Sequence, residues 1–311
     1  MLGTSRKNRM RGGAPSWTAL EVARKLVGLR YDPELAPLLP HKAAETTERL
    51  LVALNLLPSW LLSLARQPTI RRLGYRIENV LGAHSVHFGL RKRFVDDEVR
   101  CALAGNTAQV LVIGAGYDTL AMRLAAEYPD RLFVEVDHPA THVVKQAGVD
   151  ALGAGRQNLR LHGVDLGIVG LDVALKEVSA WQMTAPSAVV VEGVLMYLQP
   201  KEVGTLLSAV HASTGPGSRL VFTWARGTDG KPDIGSFGPI AARVMTWVGE
   251  PWRFFLPHEN ALQDLMVRMG FEYRPDPPRF DPRLRYVEPS EVDHRGWSWA
   301  PEFLAVAEWR G

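Results

Sequence analysis

Cysteine is almost missing from this chain. With Cys101 alone, no internal disulfide and no cysteine-rich zinc or iron–sulfur site can be built, and the expected compartment is the reducing cytoplasm. Net charge is scarce as well: 36 basic residues stand against 33 acidic ones. Four of the cations, Arg6, Lys7, Arg9 and Arg11, crowd into an acid-free leader. The remainder is close to neutral and offers no electrostatic footprint for a phosphate backbone, so nucleic acid is not an expected partner. Long apolar runs are absent too. The best candidate, residues 50–65, is interrupted by Asn55 and Pro58 and falls short of the about 20 apolar residues of a membrane span. It reads as helical hairpin or lid material. The leader lacks the apolar stretch of a secretory signal, and no internal repeat is visible.

What is present is the composition of a folded protein, 46% hydrophobic and 22% charged over 311 residues. From about Thr107 onward, short β-branched runs alternate with helix-length amphipathic stretches, the pattern of βαβ units on a parallel sheet. Strands are expected at 109–114, 131–136, 158–164, 187–192 and 218–224, with helices at 119–127, 140–152, 171–181, 201–213 and 258–269. Residues 226–257 form an insertion after the fifth strand, rich in Gly, Pro and aromatics. Five prolines between Arg274 and Ser290 argue against regular structure there. A last, antiparallel edge strand is expected at 303–309. Residues 1–90 read as a helical cap with a hinge near Pro33 to Pro40, and 91–311 as the main domain. The fold class is α/β.

The first strand runs into Gly114-Ala115-Gly116-Tyr117-Asp118-Thr119 directly before a helix. Gly114 and Gly116 permit a tight turn and a close ligand approach. In open α/β sheets ligands bind beside such turns. Asp137 closes the second strand 21 positions after Gly116, near the spacing at which an acid meets a ribose diol. Two cofactor classes fit, nicotinamide dinucleotides and S-adenosylmethionine. The third fingerprint glycine is replaced by Thr119, and Asp118 brings a carboxylate to the helix start where a pyrophosphate needs free N–H groups. These residues favour S-adenosylmethionine. Asp165 and Glu192, after the third and fourth strands, add acids suited to an adenine amine and an ammonium.

The segments at 91–97, 109–124, 134–145, 164–166 and 191–198 resemble the leucine carboxyl methyltransferase family, including bacterial O-methyltransferases similar to those of polyketide pathways. The resemblance implies a class I methyltransferase fold, a mostly parallel, Rossmann-like sheet of seven strands with helical additions. By the same resemblance Arg91, with Arg93 as its alternative, binds the methionine carboxylate of S-adenosyl-L-methionine. Gly114 and Gly116 line the methionine portion, Asp137 the ribose, Asp165 with Leu166 the adenine, and Glu192 the ammonium side. Tyr197 is implied near the transferring methyl.

The expected activity is S-adenosylmethionine-dependent O-methylation of a carboxyl or hydroxyl group on a small-molecule, polyketide-like acceptor in secondary metabolism, with S-adenosyl-L-homocysteine as product. Methylation of a protein C-terminal carboxylate is the alternative. A nicotinamide-dependent oxidoreductase and a non-catalytic adenosyl-binding protein are rivals of other classes. Candidate general bases are His258 and His294. No metal site is expected: His138 and His142 share an HxxxH spacing, but no glutamate lies between them. Trp247, Trp252, Phe254 and Phe255 are candidate walls of an acceptor pocket.

Overall fold

A computed structural model describes residues 15–81, 85–228, 231–233, 243, 245–247, 249–275, 280–287 and 302–309. The basic leader, His294, most of the prolines in 277–289 and much of the insertion lie outside them.

Continuous β-branched runs make the central strands. β1 (Gln109–Ile113) and β4 (Ser187–Val191) are buried along their whole lengths, as strands covered on both faces by helices must be. They flank each other in a seven-stranded sheet that also contains β2 (Leu132–Asp137), β3 (Leu159–Gly163), β5 (Arg219–Ala225), β8 (Glu272–Tyr273) and β9 (Glu302–Glu308). The order is β3-β2-β1-β4-β5-β9-β8. A small separate ribbon joins β6 (Gly227–Thr228) to β7 (Lys231–Pro232). Pairing is parallel from β3 through β5 and antiparallel for β9 and β8. The chain winds one way from β1 to β3 and the other way from β4 to β5, so the switch point, where ligands bind in such sheets, lies at the carboxyl ends of β1 and β4.

The cap comprises α1 (Trp17–Arg30), α2 (Ala43–Ala53), α3 (Ser59–Arg66) and α4 (Pro68–Leu81). The long α5 (Ser85–Leu103) follows and packs against β4 and β5. The expected boundary at 90/91 falls inside this helix. Tyr117, from the glycine turn, is buried among Ala23, Val27, Leu51 and Leu57, so the cap is seated directly on the turn.

The crossovers are α6 (Leu120–Glu127), α7 (Pro139–Ala151), α8 (Leu171–Lys176) and α9 (Pro200–Ala212), followed by α10 (Glu259–Arg268) and α11 (Pro282–Tyr286). Pro139 and Pro200 each occupy a first helical turn, where the missing N–H costs nothing. Three expectations are corrected. The proline-rich segment 274–290, expected to lack regular structure, contains α11, with Pro282 in its first turn and the Asp281 side chain capping it by accepting the Arg283 N–H at 2.9 Å. The helix expected over 171–181 ends at Lys176, because Trp181 is buried and its indole N–H is drawn to the Ser213 carbonyl at 3.0 Å. The C-terminal strand is not at the edge: the two residues of β8 pair along its outer side, a length too short to show any periodicity. Among the described residues no helix is long and apolar enough to cross a membrane.

Candidate active site

The parallel register of β1 and β2 pairs Ile113 with Val136, which brings the glycine turn alongside the end of β2. Both glycines have left-handed backbones, φ 68° at Gly114 and 50° at Gly116, a region costly to residues with a Cβ. They are also crowded. A Cβ on Gly114 would strike the Val194 side chain, and one on Gly116 would sit 2.8 Å from the Ala19 Cβ of α1. Asp137 locks the arrangement. Its carboxylate accepts the Gly116 N–H at 2.5 Å and the His138 N–H at 2.6 Å. Burial pushes its pKa up, against the pull of those two donors. Beside it a small cavity is lined by Gly116, Glu135, Asp137, His142, Lys145, Leu161 and His162.

At the ends of β1 and β4 lies a buried ionic cluster. Arg91 of α5 is paired with Glu302 of β9 and stands with Nε 2.7 Å from Glu192 Oε1. Lys92 reaches Glu192 at 2.9 Å and Asp118 at 2.6 Å. His87 Nε2 lies 3.3 Å from Glu302. Burial alone would raise Glu302, but Arg91 and His87 hold it down at about 2. Burial likewise works against Asp118, yet Lys92 keeps it well below the usual carboxylate range. His87 is pushed down, mainly by its own burial. The pairing is incomplete: Arg91 Nε and both Glu192 oxygens are buried without a well-aligned hydrogen bond.

Asp165 follows β3, its Oδ1 accepting the Gly167 N–H at 2.8 Å, while the Val164 N–H bonds the Asp137 carbonyl. That bond sets Asp165 and Leu166 beside Asp137. Tyr197 closes a 3-10 turn after β4. Burial raises its hydroxyl to about 12, although the Thr18 hydroxyl and the Trp252 indole pull the other way. The adjacent Met196 carbonyl accepts the Arg253 and Phe254 N–H groups, fastening the insertion to the site. Glu250 fastens it again, to the cap: its carboxylate accepts the Trp17 N–H at 3.1 Å and the Thr18 N–H at 3.2 Å, and also bonds the Thr18 hydroxyl.

The residues expected from sequence thus divide. Gly114, Gly116 and Asp137 meet at the turn, and Asp165 with Leu166 follows β3 on the far side of Asp137; Arg91 and Glu192 meet in the ionic cluster, with Tyr197 close to it. Arg93 is not brought there. Two positions from Arg91 on one helix, it points to another face, with Nε 3.0 Å from Asp97 and its guanidinium over the Tyr286 ring. His258 is exposed, and its Nδ1 accepts the Ala261 N–H at 3.2 Å as the cap of α10. Trp247 is exposed, whereas Phe254 is buried. Among the described residues no group of three or more His, Cys, Asp or Glu is arranged to hold a metal ion.

Sequence reasoning missed Lys92, Glu302, His87, Thr18 and Glu250. Lys92 carried a usable signal, since a second cation beside a buried arginine needs acids of its own. Glu302 and Glu250 carried none, being more than 200 positions from the groups they bind.

The model of the leucine carboxyl methyltransferase family matches residues 16–211. A putative S-adenosyl-L-methionine-dependent methyltransferase of Parafrankia sp. (strain EAN1pec) is 30% identical over 198 residues, 58% of this chain and 62% of that protein. A second, from Mycobacterium avium (strain 104), is 29% identical over 63% of this chain and 64% of its own length. The match therefore spans somewhat less than two thirds of these relatives. In fold the chain is similar to a putative methyltransferase from Thermobifida fusca, with a TM-score of 0.54 and 18% identity over 97% of both chains. It is also similar to a DUF574 family protein from Streptomyces avermitilis, with a TM-score of 0.56 and 18% identity, covering 78% of this chain and 91% of that one.

Proposed function

The chain belongs to the leucine carboxyl methyltransferase family, and on that footing we propose that it is an S-adenosylmethionine-dependent O-methyltransferase whose acceptor is a carboxylate on a small, largely apolar molecule. The observation that carries the reading is the buried guanidinium–carboxylate pair Arg91 and Glu192, 2.7 Å apart, at the strand ends that also carry two left-handed glycines. A zwitterionic amino-acid head needs one guanidinium for its carboxylate and one carboxylate for its ammonium; these two side chains supply them. Asp137 keeps acceptor lone pairs for a ribose diol after taking its two backbone donors, and Asp165 with Leu166 would hold the adenine.

The same geometry weighs against a dinucleotide, and for a reason other than the charge of Asp118, which Lys92 neutralises. A pyrophosphate needs free backbone donors. The Gly116 N–H is given to Asp137 and the Leu120 N–H to Asp118.

When bound, S-adenosylmethionine supplies an electrophilic methyl on a sulfonium and leaves as S-adenosylhomocysteine. The protein's contribution is alignment and exclusion of water. A carboxylate acceptor is already ionised near neutral pH and needs no base. That matches the site, where Tyr197 stays protonated and His258 is spent as a helix cap. The Tyr197 hydroxyl, approached by the Thr18 hydroxyl and the Trp252 indole, serves as the donor that orients the incoming carboxylate. The test is calorimetry with S-adenosylmethionine and S-adenosylhomocysteine, followed by mass spectrometry of acceptors offered as carboxylic acids and as phenols. Absence of cofactor binding at millimolar concentration defeats the assignment; methylation of phenols alone defeats the choice of acceptor.

A further inference from the structure

Helix α4 is built inside out. Its polar residues Arg71, Tyr75 and Glu78 face the body of the protein. Arg71 bonds the Ala65 and Arg66 carbonyls, Tyr75 packs against the buried cluster around Leu26, Leu39 and Leu90, and Glu78 accepts the Ser85 N–H at 2.9 Å. Its apolar residues Ile70, Leu73 and Ile77, spaced to share one face, look outward and are 44%, 54% and 51% exposed. Helix α3, packed against α4, exposes apolar residues of its own, Trp60 at 63% and Leu64 at 39%. An ordinary surface helix turns such a stripe to the core, so this one is kept for a partner.

Charge identifies the partner. From Ser59 to Ile77 the chain carries Arg66, Arg71, Arg72 and Arg76 and no acid. Arg72 and Arg76 are exposed, whereas Arg66, exposed as well, reaches back to Glu48 at 3.8 Å and to the Tyr31 hydroxyl at 3.3 Å. A second copy meeting this face across a two-fold axis would bring arginines against arginines, an arrangement that like-charge repulsion opposes. An apolar stripe flanked by arginines with a tryptophan beside it suits the headgroup region of an anionic bilayer, where apolar side chains enter the acyl boundary and cations meet phosphate. We propose that α3 and α4 dock this protein on the surface of an anionic lipid bilayer. The proposal concerns a face separate from Arg91, Glu192 and Asp137 and stands independently of the methyltransferase reading.

The experiment is co-sedimentation of the full chain with vesicles of phosphatidylcholine alone and of phosphatidylcholine containing phosphatidylglycerol. We expect binding about tenfold or more tighter to the anionic vesicles, weakening as salt rises because exposed charges are screened. The double variant Leu73→Ser, Ile77→Ser should lose vesicle binding. So should Arg72→Glu, Arg76→Glu, which leaves the apolar stripe intact. All four positions are exposed, and unchanged thermal melting confirms folding. The proposal is overturned by equal binding to both vesicle types, by no binding, by arginine variants that bind like the parent, or by a concentration-dependent dimer in sedimentation velocity that Leu73→Ser abolishes.

Discussion

Glu302, in the last strand, is paired with Arg91, 211 residues earlier in the chain. The pair sits where β9 lies against β5 and α5 crosses above, and it holds one edge of the guanidinium while the Nε edge faces Glu192. Arg91 is thereby aimed by a residue from the far end of the sequence, and most of the expected behaviour of the site follows from that.

Arg91→Leu should weaken S-adenosylhomocysteine binding by about 10- to 100-fold, the worth of a charge-assisted hydrogen bond of about 1.5–3 kcal/mol. Because Glu192 and Glu302 lose their shared counter-charge, the variant should also unfold more easily, by about 3–5 kcal/mol. Calorimetry and urea denaturation measure the two effects separately. Arg93→Leu should leave cofactor affinity unchanged within about twofold, since its partners are Asp97 and Tyr286.

The pH dependence of stability has a definite sign. Glu302 falls from 4.5 to about 2 on folding, so between those values the unfolded chain binds more protons and stability drops as pH falls. Buried His87, lowered from 6.5, acts in the same direction at higher pH. Glu302→Gln should flatten the acid limb of a stability–pH curve by up to about 1.4 kcal/mol per pH unit below pH 4.5. Denaturant midpoints at several pH values check this, and an unchanged acid limb counts against the pairing.

Ala at Gly114 or Gly116 meets both a left-handed backbone and a neighbour already in place, Val194 or Ala19. Each substitution should cost about 1–3 kcal/mol of stability. The fall in affinity should be larger at Gly116, whose N–H holds Asp137 in place. Paired melting and calorimetry curves discriminate the two positions.

Glu250→Ala removes the carboxylate clasped by the first turn of α1. Loss of such a cap costs about 1 kcal/mol. Because Ala19 of that helix covers Gly116, cofactor should dissociate faster from the variant at nearly unchanged association rate. Stopped-flow displacement measures both rates.

Tyr197→Phe should lower kcat by about tenfold while cofactor affinity stays within about twofold, as fits a hydroxyl that orients the acceptor and does not hold the methionine head. With the hydroxyl raised to about 12, the parent's rate should show no titration of this group between pH 6 and 10. A base-like limb lost in the phenylalanine variant would argue for a phenol acceptor.

The strands were legible because parallel strands buried on both faces must be written as unbroken β-branched runs. Val110 to Ile113 and Ala188 to Val191 say so directly. The glycine turn and Asp137 were legible because backbone sterics and a fixed βαβ length tie them together. What was hidden shares one property. Trp181 turns to the Ser213 carbonyl, β8 is placed by its pairing with β9, and it is Arg91 that meets Glu192 and Glu302. Each is decided by a contact distant in sequence.

Local chemistry therefore determined the α/β alternation, the tight turn and an acid at the end of each of three strands, because period, φ and spacing are properties of neighbouring residues. Tertiary structure alone decided which arginine faces Glu192, that Glu302 would aim it, that Lys92 would cancel Asp118, and that α4 would turn its apolar side outward. Burial and long-range pairing set those outcomes, since the energy of a buried charge depends on what the fold places around it and not on its neighbours along the chain.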